Sequence, residues 1–284
     1  MHRTPIKKPR AITLGHSPDA DDAFMFYALA TGKIQTDGLK FRHILQDIQT
    51  LNHRAQHGEL DVTAISVAAY PWVADRYSIL PCGASIGDGY GPLVVSRKTM
   101  TPSQLQKSRI AVPGEMTSAF LALKLYLGDF CHIVVPFNKV FDSIKHGRAD
   151  AGLIIHEGQL TYLREGFRFA VDLGRWWKQT TGLPLPLGVN GIRKDFPPSL
   201  VRKISGILTA SIRYAMTHRA EAIEYARQFG RGLDRRCADR FIGMYVNDFT
   251  LDLGARGRRG IREFLKRGQE ARILPPTGPV EFVR

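Results

Sequence analysis

The sequence predicts an α/β fold of two lobes, each built on a mostly parallel sheet, with a site in the cleft between them. Three observations carry this. Strand-like apolar runs alternate with helix-like stretches as far as Ile155, the pattern of parallel strands joined by crossover helices. The order then repeats: a strand ending at Gly15 leads into “DDAF”, a strand ending at Gly114 leads into “TSAF”, and “HGELDVTAIS” matches “HGRADAGLII”. After His156 the pattern changes, and “TGLPLPLGVNGIR” reads as a crossing segment back to the first lobe. Residues 1–93 with 191–284 form the first lobe and residues 94–190 the second.

The elements follow in order. “AITLG” is a strand of β-branched and apolar residues. “DAFMFYALATGKI” is a helix, capped by Asp21 or Asp22 and stopped by Gly32. “LKFRHILQ” is a strand, “DIQTLNHRAQHG” a helix stopped by Gly58, and “DVTAIS” a strand. “VAAYPWVADR” is helical but short, because Pro71 interrupts it. “YSILPCGASIG” and “GPLVVSRK” are strands around a glycine-rich turn. In the second series “SRIAVPG” is a strand, “TSAFLALKLYLG” a helix capped by Thr117 or Ser118, and “CHIVVPF” a strand. “NKVFDSIKHG” is a helix and “DAGLII” a strand. From about Pro198 the chain is helical over “SLVRKISGILTASIRYAMTH”, “AEAIEYARQFG” and “ARGRRGIREFLKRGQEARI”, the first with Leu200, Ile204, Leu208 and Ile212 on a core-facing stripe.

Composition narrows the function. Hydrophobic residues make up 44% and charged residues 23%, ordinary values for a globular chain. The formal net charge is +14, but the basic residues are scattered or local and show no zinc-finger, RRM or KH pattern. A basic surface suits an anionic small substrate, and no nucleic-acid partner is expected. The three cysteines, Cys82, Cys131 and Cys237, are too few and too far apart for a disulfide framework or a CxxC site. No HExxH spacing occurs among the nine histidines, so no metal is expected. The N-terminal stretch lacks the apolar core of a secretory signal, and no run is long enough to span a bilayer. A cytoplasmic chain with no membrane partner is expected, and a homodimer is left open.

Parallel sheets bind ligands beyond the carboxyl ends of their strands. That rule brings together Ser17, Ser66, Thr117, Ser118 and His156. His156, at the exit of a buried strand, is either a satisfied structural residue or a general acid–base. Glu157 either orients it or caps a helix starting at Gly158. Thr117 and Ser118 are either helix caps or, with the helix's free amides, an anion site. The loop “GHSPDADDAF” places Ser17, Asp21 and Asp22 where they can accept hydrogen bonds from substrate hydroxyls, while repelling a ligand carboxylate. Gly89 and Gly91, with Gly87, permit close backbone approach to a ligand. Trp176 and Trp177 offer a stacking surface, one of them as core.

“SPDADDAFMFYAL”, “GDGYGPLVV”, “AVPGEMTSAFLAL”, “AGLIIHEGQLTY” and “WWKQTTGLPLPLG” together resemble the 1,4-dihydroxy-6-naphthoate synthases of the futalosine route to menaquinone. The resemblance runs from Ile12 to about Leu253. It implies a two-lobed fold like the type II periplasmic binding proteins, but in the cytosol. It implies conversion of cyclic dehypoxanthinylfutalosine, a carboxylated aromatic nucleoside derivative, into the naphthoate by a lyase-type cleavage with no metal or organic cofactor. The family's catalytic histidine falls on His156, and its hydroxyl pair for the substrate carboxylate on Thr117 and Ser118. Its first loop is commonly Ser-Pro-Cys-Pro-Asn-Asp-Thr-Phe. Here Asp19, Ala20, Asp21 and Ala23 replace the Cys, second Pro, Asn and Thr, which adds negative charge to the cleft. A solute-binding protein of the same fold, or a relative of the enzyme that dehydrates chorismate, are the other readings.

Overall fold

The structure, a computed structural model, describes residues 11–229 and 234–283. The basic stretch Lys7 to Arg10 and the start of the basic run at Arg231 lie outside the described residues.

Two sheets are present. The first holds β1 (Ile12–His16), β2 (Phe41–Leu45), β3 (Val62–Ser66), β4 (Tyr77–Ile79), β5 (Ser85–Gly87) and, from much later in the chain, β11 (Leu185–Arg193). The second holds β6 (Leu93–Ser96), β7 (Arg109–Val112), β8 (Cys131–Val134), β9 (Ala151–Ile154) and β10 (Arg168–Asp172). Strand order is β2-β1-β3-β11-β4 in one, with β5 beside β11, and β10-β6-β9-β7-β8 in the other.

The sheets are mixed, which corrects the expectation of mostly parallel ones. Each contains a parallel trio, β2-β1-β3 and β8-β7-β9. Beside each trio run antiparallel strands: β11 against β3, β4 and β5, and β6 against β9 and β10. Parallel neighbours need a crossover connection. The chain supplies crossover helices within each trio, but β5 passes to β6 through a short loop and β11 returns directly from the second sheet, so these strands enter from the opposite end.

The repeat read in the sequence is structural. Asp61 Oδ2 accepts from the amide of Thr13 at 2.9 Å, and Asp150 Oδ2 accepts from the amide of Arg109 at 2.9 Å. In both trios a carboxylate before the third strand thus ties it to the first. Gly58 (φ 65°) and Gly147 (φ 68°) make the left-handed stops before them, which glycine alone adopts freely.

Helices α1 (Ala20–Met25), α2 (Tyr27–Ala30) and α3 (Ile48–Gln56) belong to the first trio. A 3₁₀ turn over Val67–Trp72 carries Pro71, as the proline required. Helices α4 (Pro102–Gln106), α5 (Ser118–Leu127), α6 (Val140–Lys145) and α7 (Gly158–Thr161) accompany the second. Helix α8 (Leu173–Thr181) carries both tryptophans, and the crossing segment read at “TGLPLPLGVNGIR” becomes strand β11. Trp177 is core, its Nε1 donating to Pro184 O, and Trp176 meets Tyr126 edge-on.

The C-terminal helices are α9 (Pro198–Thr217), α10 (Arg219–Arg227), α11 (Arg235–Tyr245), α12 (Asp248–Leu251) and α13 (Gly254–Glu270). Ile204, Leu208 and Ile212 of α9 are buried as their spacing required. Helix α13 buries Ile261, Phe264 and Leu265 in a core shared with Ile65 and Tyr70 of the first half and Val112 and Leu123 of the second.

The crossings between sheets are tight. A Cβ on Gly174 would lie 1.9 Å from Tyr90 O, and one on Gly91 would lie 2.9 Å from the Gly174 amide. Beside them Asp88 takes Lys178 Nζ at 2.7 Å and Arg256 at 2.9 Å. Burial opposes its ionisation, but these two cations prevail and hold the carboxyl below its usual range.

Candidate active site

A cavity of about 110 Å³ opens between the carboxyl ends of the two trios. Ser17, Asp19, Asp21 and Asp22 wall it on one side, Ser66 and Ser85 below, and Thr117, Ser118 and Ala119 on the other. Ile155, Leu187 and Tyr245 complete it.

The acidic wall is the loop after β1. The helix begins at Ala20 with Asp19 in the cap position, two or three residues earlier than the cap expected at Asp21 or Asp22. Both of those carboxylates therefore sit in the first helical turn. Asp22 Oδ2 reaches back to accept from the Ser17 amide at 2.6 Å, and Ser17 Oγ donates to Asp19 Oδ2 at 2.7 Å. Burial pushes the Asp22 carboxyl up to about 7, against the Ser17 bond. Asp21 is pushed well above its usual range, by burial first and then by Asp22, Asp19 and Glu157.

The opposite wall is the start of α5. Thr117 is its cap: Oγ1 accepts from the Phe120 amide at 3.1 Å and donates to Gly114 O at 2.8 Å. Ser118 Oγ donates to Leu187 O at 2.6 Å and accepts from the Ala68 amide at 3.1 Å, tying α5 to the first half. Both hydroxyls are thus engaged with protein. What α5 turns toward the cavity for an anion is its first-turn amides at Ser118 and Ala119, which have no intrahelical carbonyl to bond.

Ser66 is held by Asn52, whose Oδ1 accepts from the Ser66 amide at 2.8 Å and whose Nδ2 donates to Ser66 Oγ at 3.0 Å. Asn52 and Gln49, one helical turn apart on α3, also reach across to the Met116 carbonyl and amide. Nothing in the pattern of “DIQTLNHRAQHG” marked either residue, since polar residues on a surface helix are the rule.

His156 is not on the cavity wall, although Ile155 beside it is. Its ring lies edge-on to Phe137 and Phe141, with centroids 5.7 and 6.0 Å away. The Gly158 amide donates to Nδ1 at 2.9 Å, so the geometry assigns the proton to Nε2, which donates to Phe137 O at 3.1 Å. Glu157 Oε2 lies 3.9 Å from Nδ1. Glu157 occupies the cap position of α7 but its side chain makes no cap bond.

Gly89 and Gly91 are likewise off the wall. Gly91 is small because the backbone of Gly174 passes over it, and Gly89 (φ 88°) serves the turn. Tyr245 of α11 is a wall residue the sequence did not reveal. Its hydroxyl donates to Gln159 Oε1 of α7 at 2.8 Å, bridging the two halves, and Gln159 Nε2 donates on to Ile154 O at 3.2 Å. Burial pushes the Tyr245 phenol far up, so it stays protonated. Among the described residues no group of three or more His, Cys, Asp or Glu has an arrangement that could hold a metal ion, and no helix is long and apolar enough to cross a membrane.

Residues 12–270 match the family model described as menaquinone biosynthesis. A protein of Thermus thermophilus named 1,4-dihydroxy-6-naphthoate synthase is 38% identical over 96% of this chain and 99% of its own. One of the same name from Streptomyces coelicolor is 35% identical over 94% and 96%. The crystal structure of a protein from Archaeoglobus fulgidus superposes with a TM-score of 0.90 at 43% identity, covering 93% of this chain and 98% of that one. The alkanesulfonate-binding protein of Xanthomonas axonopodis superposes at 0.75 with 14% identity, over 96% and 97%, which shows a shared periplasmic-binding-protein-like fold alone.

Proposed function

The chain belongs to the menaquinone biosynthesis family, and from that membership we propose that it is a 1,4-dihydroxy-6-naphthoate synthase, acting on cyclic dehypoxanthinylfutalosine. The observation that carries the reading is the 38% identity to the Thermus enzyme over 96% of this chain and 99% of that protein. The cavity supports it: one wall offers hydrogen-bonding carboxyls for a hydroxylated ring, and the other offers helix amides for a carboxylate.

The reaction is a lyase cleavage started by a base. His156 takes a proton from the bound substrate through Nδ1. That lone pair now accepts the Gly158 amide, so the 156–161 turn rotates when substrate enters, carrying the ring past Ile155 to the cavity. The amides of Ser118 and Ala119 hold the substrate carboxylate, Ser17, Ser66, Asp21 and Asp22 meet the oxygens of the hydroxylated ring portion, and Thr117 keeps the helix start in place.

The test is incubation of the purified protein with cyclic dehypoxanthinylfutalosine and detection of the naphthoate by mass spectrometry. Product is expected, and a His156→Asn variant should lose about 10²–10⁴-fold in kcat. A folded protein that leaves the substrate intact contradicts the activity. Undiminished turnover by His156→Asn contradicts the role of the histidine.

A further inference from the structure

The cavity's charge does not balance. The molecule carries +14, yet among the described residues the cavity is lined by three aspartates and by no lysine, arginine or histidine. Like charges confined in one low-dielectric site do not all ionise. A proton must therefore sit on this wall when the cavity is closed, and hydrogen bonding says where. Asp19 accepts Ser17 Oγ and Asp22 accepts the Ser17 amide, bonds that favour their charged forms. The Asp21 carboxyl has no hydrogen-bond partner beyond its own amide among the described residues, and it lines the cavity.

Among the described residues, the charged groups that raise Asp21 are acids. Asp19 and Asp22 flank it on its own loop, Glu157 faces it from the second half, and Tyr245 approaches from α11 as a neutral phenol. Among the described residues near this helix, Arg219 is held on the Phe24 ring at 5.4 Å and on Asp239 at 2.6 Å.

We propose that Asp21 enters the closed site as a neutral acid and donates its hydrogen bond to an oxygen of the substrate, from the wall opposite the helix amides that take the carboxylate. The assignment of the substrate rests on the function proposed above; the neutral acid rests on the wall alone. A neutral donor removes the repulsion that a third carboxylate would exert on an anionic substrate. It also lets Glu157 approach from the other half as the cavity closes.

Two measurements test this. The first needs no substrate: protein labelled with ¹³C at aspartate carboxyls is titrated by NMR, with Asp21→Asn identifying the Asp21 signal. That signal is expected to titrate well above those of exposed aspartates; titration among them overturns the proposal. The second compares variants. Asn keeps the size and a donor but cannot ionise, so Asp21→Asn should retain kcat/KM within about threefold and lose the alkaline fall that the wild type shows as Asp21 ionises. Asp21→Ala should lose at least tenfold, mostly in KM. An Asp21→Ala enzyme as active as the wild type, or an Asp21→Asn enzyme with the same alkaline limb, overturns it. A wild type without turnover contradicts the synthase activity, and the titration then decides the state of Asp21 by itself.

Discussion

At the scale of single residues, two buried groups set opposite pH dependences on stability. Asp22 titrates near 7 in the fold against 3.8 in an unfolded chain. The fold keeps a proton that the unfolded chain releases, so this contribution declines as pH rises from about 4 to 7. His16 is the reverse. Burial first, and its neighbour His43 second, lower it from 6.5 to about 4, against the help of the Ser17 carbonyl. Its Nε2 lies 2.9 Å from His43 Nδ1. The unfolded chain takes up a proton that the fold refuses, so stability declines as pH falls through the same range. In the wild type the two partly cancel. Asp22→Asn removes one of them, and its melting temperature should fall more steeply than the wild type's on acidification from about 6.5 to 4. Parallel curves contradict the raised titration of Asp22 in the fold. The residues of this wall were legible as a cluster of acids and hydroxyls after a strand, because strand ends collect ligands in such sheets. Which oxygens are engaged was not, since the Ser17 amide and the Leu187 carbonyl are brought in by folding rather than by spacing. The same holds for His156: “GLIIHE” marks its strand end, but the Gly158 amide that occupies Nδ1 comes from a turn with no strong signature. A Cβ on Gly158 would lie 2.7 Å from His156 Cε1, so this glycine is required by the ring it packs on.

At the scale of elements, the parallel trios and the cap of α5 at Thr117 were readable because each rests on local chemistry. The cap of α1 was not, because three aspartates compete for it and Asp19 takes the place. The antiparallel strands were not readable, because their direction is decided by where the chain crosses between sheets. Helix α11 escaped because “RGLDRRCADRFIGMY” presents as a basic run, although Ala238, Phe241, Ile242 and Tyr245 form its buried face. The crossing itself makes a prediction. Gly174→Ala sets a methyl against the Tyr90 carbonyl and should cost about 1–3 kcal/mol in urea unfolding. Gly206→Ala in the middle of α9 meets nothing within 4 Å and should gain about 0.5–1 kcal/mol. Equal effects of the two would contradict the backbone contact at the crossing.

At the scale of the molecule, the cavity of about 110 Å³ is smaller than the roughly 300–1,000 Å³ of small-molecule sites, so the two halves must part to seat a substrate of nucleoside size. Contacts across the halves hold it shut: Tyr245 to Gln159, Ser118 to Leu187, and Asn52 to Met116. Tyr245→Phe deletes one and leaves the buried Gln159 oxygen unpaired, a loss of about 1–3 kcal/mol to the closed form. Its radius of gyration by small-angle X-ray scattering should exceed that of the wild type, and its KM should rise at least several-fold. A variant as compact and as tight-binding as the wild type contradicts this closing role. The two-lobed plan was legible from the sequence repeat, while the contacts that close it link residues 64 to 86 positions apart and leave no local trace. The most direct measurement of the whole account is a crystal structure with 1,4-dihydroxy-6-naphthoate bound. The carboxylate is expected at the amides of Ser118 and Ala119, and a ring oxygen within hydrogen-bond distance of Asp21. Product bound outside this cavity, or with its carboxylate against the aspartate loop, would contradict it.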